Sequence, residues 1–246
     1  LTSFSGEVVL IAAEQQSHGV TKNFERALHA CTGEIIALSD QDDTWQPDKL
    51  SRMIETLGDG LLAFSDAELV DENGKPFTPR ATLFSGLGLS EWEREHLAKN
   101  DAWPVLLRRN VVTGATAILR RELLELAGDF PDSWVHDEWL AIVAAAHGGV
   151  RFCDQGTIDY RQHGGNQIGM RTKLTWGVRI ERLRQPRADR NARLRARADA
   201  LAMRAHDWPG AAAADTAQKL EHEIVRSRLL AARLARIAPV LRERRT

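Results

Sequence analysis

The chain has 246 residues, 43% of them hydrophobic, and carries 33 Lys and Arg against 34 Asp and Glu. That apolar share excludes wholesale disorder and fibrous or collagen-like classes. The net charge of −1 averages two unlike regions: residues 1–170 hold 14 basic and 26 acidic side chains, and residues 171–246 hold 19 and 8. An acidic body at 1–170 with a basic appended region at 171–246 is therefore expected. The two cysteines, Cys31 and Cys153, form no CxxC pair, which leaves little basis for a disulfide scaffold or a zinc ribbon and makes a reducing compartment the default. No apolar run approaches the roughly 20 residues of a membrane span. The chain opens on Leu1 with neither an initiator Met nor the basic n-region of a secretory signal, so a partial chain is expected.

In chain order, Val8-Val9-Leu10-Ile11 reads as a strand buried on both faces. Phe24, Ala27, Leu28 and Cys31 follow at helical spacing, and Gly33 closes that helix. Glu34–Leu38 is a second buried strand running into Ser39-Asp40-Gln41-Asp42-Asp43. Pro47 opens a helix with Leu50, Met53, Ile54 and Leu57 as its apolar stripe. Leu61–Phe64 is a third strand ending in Ser65-Asp66, and residues 75–110 read as irregular. Val111–Leu119 is strand-like, with Gly114 marking a bulge or a close approach. A short helix stops at Gly128, another covers Val135–Ala146, and short strands follow at Val150–Cys153 and Thr157–Tyr160. Strands alternating with helices predict a mainly parallel α/β sheet with its ligands at the carboxyl ends of the strands. From Arg171 onward the chain is Ala/Arg/Leu-rich and helical, broken at Asp207–Gly210, with an amphipathic stretch from Leu220 to Leu241.

Four stretches could carry chemistry. Asp40, Asp42 and Asp43 place three carboxylates in four residues after a buried strand, a pattern that holds a hard cation such as Mg²⁺ or Mn²⁺ or else forms a solvated loop capping the next helix. Trp134–Leu140 sets Asp137 and Glu138 between two indoles and an imidazole. Burial there would suit a carboxylate to act as a base, while the bland reading is a helix N-terminus with its tryptophans in the core. Tyr160–Gln167 offers His163 as a metal ligand and Arg161 as a phosphate partner, or is an ordinary loop. Thr21-Lys22-Asn23 starts a helix whose N-terminus could face a phosphate.

Taken in order, Gly19-x-x-Lys22-Asn23-Phe24, Asp40-Gln41-Asp42-Asp43-x-Trp45-x-Pro47-x-Lys49-Leu50, Ser65-Asp66, Gly114-Ala115-Thr116, His136-Asp137-Glu138-Trp139-Leu140 and Tyr160-Arg161-Gln162-His163-x-x-Asn166 resemble the family 2 glycosyltransferases, most of all their rhamnosyltransferase-like branch. The resemblance covers about residues 7–169 and implies a GT-A, Rossmann-like α/β domain. It implies an inverting sugar transfer from a nucleotide-diphosphate sugar to a hydroxyl of a glycan or lipid-linked acceptor, with Mg²⁺ or Mn²⁺, in surface polysaccharide or glycan assembly. Carried over by position, Asp137 is the catalytic base, and Asp42 and His163 hold the metal. Lys22, Asn23, Asp40 and Arg161 lie on the donor side, and Glu138 and Trp139 on the acceptor side.

One departure stands out. The family begins with a strand, a Pro-Thr-Tyr-Asn-like turn and a strand ending in Asp-Asp-x-Ser, and here Glu7–Ala12 resembles its third strand. The domain is thus expected to be N-terminally incomplete, with weak or no donor binding and reduced or absent activity in this chain alone. The second reading is a catalytically incomplete fragment that acts as an interaction module through its basic helical tail. That tail could contact an anionic membrane surface, which gives a cytoplasmic protein peripheral at the inner face of the membrane. Its poverty in aromatics gives no expectation of nucleic acid. The bland alternative packs the tail against the acidic body. A metal-dependent phosphohydrolase would share the carboxylates but would need more His and Asp ligands than are present.

Overall fold

The computed structural model describes residues 6–12, 19–162 and 187–209. From the N-terminal side run α1 (Gly19–Ala30), β1 (Ile35–Ala37), β2 (Thr44–Trp45), α2 (Lys49–Leu57) and β3 (Leu62–Val70). Three short helices follow, α3 (Leu83–Leu87), α4 (Glu91–Ala98) and α5 (Trp103–Arg108), then a 3-10 turn at Gly114–Thr116 and β4 (Ile118–Arg120). The rest is α6 (Glu122–Ala127), α7 (His136–Ala146), β5 (Val150–Arg161) and α8 (Arg187–Ala205).

The five strands form one sheet in the order β1-β4-β3-β5-β2. The expected parallel sheet is in fact mixed. Only β3 and β5 pair in parallel, and the other pairings, β1 with β4, β4 with β3 and β2 with β5, are antiparallel. The three strands that alternate with helices, β1, β3 and β5, still run in one direction. The antiparallel character comes from two very short strands, β4 and β2, inserted against them. The acid loop thus leaves the carboxyl end of β1, as parallel-sheet logic requires.

Local chemistry explains several departures from the sequence expectation. Residues 75–110, read as irregular, hold three helices, and two of them begin on reciprocal capping boxes, Thr82 with Ser85 and Ser90 with Glu93. Asp66 falls inside β3 at a register shift, and its Oδ1 accepts from Ala67 N at 2.8 Å and Phe84 N at 2.9 Å. It anchors the α3 entrance and does not mark a strand end. The α2 stripe is rotated: Met53 and Leu57 are fully buried, but Leu50 and Ile54 are 46% and 47% exposed. The inward position one step before Leu50 belongs to Lys49, which is fully buried.

The strand expected at Val8–Ile11 does not form. Residues 6–12 make no strand pairing, and Leu10 is 83% exposed. An apolar run becomes a buried strand only where neighbours cover it, and none of the described strands pairs with these residues.

The core centres on α7, whose residues from Trp139 to Ala146 are all buried, as expected of a helix apolar on every side. The described part of the basic region packs on this body. Ala198, Leu201 and Ala205 line one face of α8 and are buried, and Trp208 meets Trp103 edge-on at 5.8 Å. Arg204 donates to the carbonyl of Leu126 at 3.1 Å, placing a cation at the C-terminus of α6. Gly128 ends α6 at φ 56°, and a Cβ there would collide with the Arg204 guanidinium. The amphipathic stretch at 220–241 lies outside the described residues.

Candidate active site

β1, with Ile36 buried at its centre, leads through the buried Leu38 into a half-buried loop before β2 that carries Asp40, Asp42 and Asp43. Asp43 Oδ1 accepts from the backbone N–H of Arg161 at 2.9 Å, while Asp43 Oδ2 is buried with no hydrogen-bond partner. Burial pushes the Asp43 carboxyl up to about 6, with Asp42 and Asp40 adding repulsion against the opposing pull of the Arg161 N–H and Lys49. Asp40 is raised as well, by burial first and then by Asp42.

Lys49 joins this cluster from an inward position of α2 that an aliphatic stripe of Leu50, Met53, Ile54 and Leu57 does not predict. Its Nζ donates to the Ala115 carbonyl at 2.7 Å and sits 4.1 Å from the centre of the Trp45 ring. Burial lowers its ammonium to about 8, and Asp43 and Asp40 oppose that fall. A wholly buried ammonium persists only with such partners.

The 3-10 turn that accepts from Lys49 also holds the proposed base. Gly114 N donates to Asp137 Oδ2 at 3.0 Å, and Asp137 Oδ1 accepts from Glu138 N at 2.7 Å. Asp137 is 5% exposed, and burial raises its carboxyl to about 6. The two N–H groups counter that rise, while the charges of Glu138 and Asp40 add to it. The close approach expected at Gly114 is present, since a Cβ there would lie 3.1 Å from His136 Nε2. His136 stacks on Phe24 at 3.8 Å and 6°, is held neutral with its pKa near 4 by burial, and has both ring nitrogens buried without a hydrogen-bond partner.

Tyr160, the chain's only tyrosine, is buried on β5. Burial pushes its hydroxyl up to about 12, and Asp43, Asp40, Asp42 and Asp137 all add to the shift. The acid loop, Asp137 and Tyr160 thus share one electrostatic field.

The remaining expected residues fall in several places. Arg161 braces the acid loop, donating through Nε to the Asp42 carbonyl at 2.8 Å and through Nη1 to the Glu72 carbonyl at 2.7 Å. Lys22 is tied to Glu25 and to the Phe130 carbonyl, each at 2.7 Å, where α1 meets the loop before α7. Asn23 is exposed on α1. Glu138 pairs with Arg197 of α8. Trp139 corrects the acceptor-side expectation: it is 1% exposed and donates Nε1 to the Ala127 carbonyl at 3.2 Å, so it belongs to the core. An indole on the inward face of an apolar helix has no route to an acceptor. His163 lies outside the described residues.

Among the described residues no three His, Cys, Asp or Glu side chains converge into a closed metal cage. The oxygen-rich loop and the orphaned Asp43 Oδ2 fit a hard divalent cation of the kind held by one or two carboxylates, with substrate phosphates completing its shell. A cavity of about 700 Å³ lies elsewhere, lined by Gln46, Arg52, Glu68, Arg80 and Ile158 among others. It contains none of Asp40, Asp42 or Asp137, and the perturbed carboxylates define the site more directly than its size does.

The half-buried acid loop after β1 and the buried Asp137 at the start of α7 thus lie within one electrostatic environment. Residues 1–126 match the family model described as Glycosyl transferase family 2, and the chain belongs to that family. It is 29% identical over 158 residues to the uncharacterized glycosyltransferase alr2836 of Nostoc sp., covering 62% of this chain and 47% of that protein. The chain therefore spans about half the length of this relative. Among solved structures it is similar to Staphylococcus aureus TarS 1–349 in complex with UDP-GlcNAc, at 17% identity and a TM-score of 0.48 over 87% of this chain and 54% of that one. It is also similar to the mannosyltransferase PcManGT of Pyrobaculum calidifontis in complex with GDP-Man and Mn²⁺, at 18% identity and a TM-score of 0.42 over 93% and 61%. Both overlaps are partial.

Proposed function

We propose that this chain carries the catalytic groups of a divalent-cation-dependent, inverting glycosyltransferase of the rhamnosyltransferase-like branch. It would move a sugar from a nucleotide-diphosphate sugar to an acceptor hydroxyl of a glycan or lipid-linked glycan in surface polysaccharide assembly. One observation carries the reading above the others. Asp137 is buried, clasped by two backbone N–H groups and raised to about 6, so near neutral pH it is ionised yet still basic enough to take a proton.

In the proposed step the acceptor O–H gives its proton to Asp137 as the oxygen attacks the anomeric carbon. The new C–O bond forms on the face opposite the departing phosphate oxygen, which leaves with the bonding electron pair as nucleoside diphosphate. Asp40 is assigned to the donor. Asp42, with His163, is assigned to a Mg²⁺ or Mn²⁺ ion, which when bound supplies neutralisation of the diphosphate charge. Lys22 and Asn23 remain assigned to the nucleotide end, and Arg161 serves the donor by holding the acid loop in place.

The interaction-module alternative loses ground where α8 buries its own apolar face on the body. The test is a donor screen on the full chain with Mn²⁺ or Mg²⁺, scored by nucleoside diphosphate release that depends on an acceptor. At donor concentrations high enough to offset the weak binding expected of this chain alone, metal-dependent release that disappears in both Asp42→Ala and Asp137→Asn is expected. Release that persists in both would overturn the proposal.

A further inference from the structure

The basic region sends one residue into this site. Arg197, on α8, makes three contacts with the loop and first turn that present Asp137. Its guanidinium pairs with Glu138 Oε1, with side chains 22% and 17% exposed. The same guanidinium lies 4.0 Å from the centre of the Trp134 ring. Its backbone carbonyl accepts from Trp134 Nε1 at 3.2 Å. An isolated surface ion pair would mean little. Here a half-buried charge pair, an aromatic face and a backbone hydrogen bond converge on one residue, 59 positions from Glu138 in sequence.

Asp137 and Glu138 are adjacent carboxylates, and only one can serve as the base. We infer that Arg197 is a positioning residue for the proposed transfer: it holds the Glu138 carboxylate away from the acceptor and leaves Asp137 as the group that takes the proton. The inference rests on the function proposed above. The groups that bear on Asp137 are Gly114 N–H from the 3-10 turn, His136 and Glu138 from α7, Asp40 from the acid loop and Tyr160 from β5. Among them Glu138 is the like charge nearest in sequence, and Arg197 is its counter-ion. Without Arg197, the Glu138 charge is uncompensated and its side chain is released toward its neighbour. Repulsion then favours protonated Asp137.

The test needs no turnover. The Asp137 side-chain carbon is followed by ¹³C NMR against pH in the full chain without donor or acceptor. In Arg197→Met the midpoint is expected to rise by about half a pH unit or more. In Arg197→Met combined with Glu138→Gln it should return to the wild-type value or below. In transfer assays, Arg197→Met should lower kcat/KM for the acceptor roughly tenfold and shift the acid limb of the pH profile upward. An unchanged midpoint in folded Arg197→Met, or no return in the double variant, would show that Arg197 only clamps α8. Should Arg197→Met fail to fold, Glu138→Gln alone carries the test: a lowered Asp137 midpoint with transfer retained supports the inference, and loss of transfer assigns the base to Glu138 and overturns it. The NMR comparison decides the role of Arg197 whether or not the wild-type chain alone transfers sugar, so its failure and the failure of the proposed function are told apart.

Discussion

Gly114 and Asp137, 23 positions apart, are joined by a 3.0 Å hydrogen bond from backbone N–H to carboxylate, and the next residue of the same turn, Ala115, accepts from Lys49 at 2.7 Å. One short 3-10 turn therefore links the proposed base on α7 to the ammonium beneath the acid loop. The acid loop's buried lysine and the Asp137 carboxylate are thereby tied to adjacent backbone groups of one turn.

The base should report itself in the pH profile. Asp137 acts only when ionised, so transfer is expected to rise with pH through about 6 and level off above it. Asp137→Asn should lower kcat by about 10² to 10⁴ at every pH and abolish that limb. Steady-state rates between pH 5 and 8 check both outcomes.

Asp137 also has a stability signature. Its folded value, about 6, exceeds its ordinary 3.8, so between those limits the folded state binds more protons than the unfolded state. Its contribution to stability is therefore fully present below pH 4 and is lost as pH rises toward 6, by up to about 3 kcal/mol. Denaturant unfolding of wild type and Asp137→Asn at pH 4 and pH 7 should show the wild type losing more on going up.

Lys49 predicts the opposite slope at alkaline pH. Its folded value, about 8, lies below its ordinary 10.5, so the unfolded chain binds more protons between the two. Stability of the wild type relative to Lys49→Met should rise from pH 8 to pH 10. At pH 7 Lys49→Met leaves the Ala115 carbonyl without this donor, a cost of about 1–3 kcal/mol. Chemical denaturation across that range tests the sign.

Gly114→Ala should damage the site with little effect elsewhere. The added Cβ would lie 3.1 Å from His136 Nε2 and 3.5 Å from Asp137 Cβ, inside a packed niche. A loss of about 1–3 kcal/mol is expected. Transfer should fall more steeply than stability, because the N–H that fixes Asp137 moves with the turn. Thermal unfolding and kcat measured on one preparation separate the two effects.

Glu93 offers a control outside the site. It closes the α4 capping box and accepts from Arg109 at 2.6 and 2.8 Å, and that guanidinium first, with Ser90, holds its carboxyl down at about 2 against the effect of burial. This stabilisation is present above about pH 4.5 and is lost as pH falls toward 2. Glu93→Gln should therefore lower Tm at pH 7 and have little effect near pH 2, with catalysis at 25 °C unaffected.

Much of the site can be read in the sequence because its parts are local. The acid loop follows an apolar strand directly, Gly114 marks its own close approach, and His136-Asp137-Glu138 sits where an apolar helix begins. The missed parts depend on tertiary placement. Lys49 occupies an inward position beside Leu50, and spacing alone favours the leucine. Tyr160 gains its environment only when β5 aligns beside the acid loop. Arg197 arrives from a helix whose overall charge conceals one specific partner. Val8–Ile11 and Trp139 fail in complementary ways: an apolar run does not name its neighbours, and an indole beside a carboxylate need not share its exposure.

Sugar transfer with Asp137 as the proposed base is open to direct measurement. The most direct measurement is ¹H NMR of the product formed by the full chain with an accepted nucleotide-sugar donor, Mn²⁺ and a hydroxyl acceptor, run beside Asp137→Asn. The account predicts a product of inverted anomeric configuration from the wild type and a loss of about 10²-fold or more in the variant. Retained configuration, or undiminished transfer by Asp137→Asn, would contradict it.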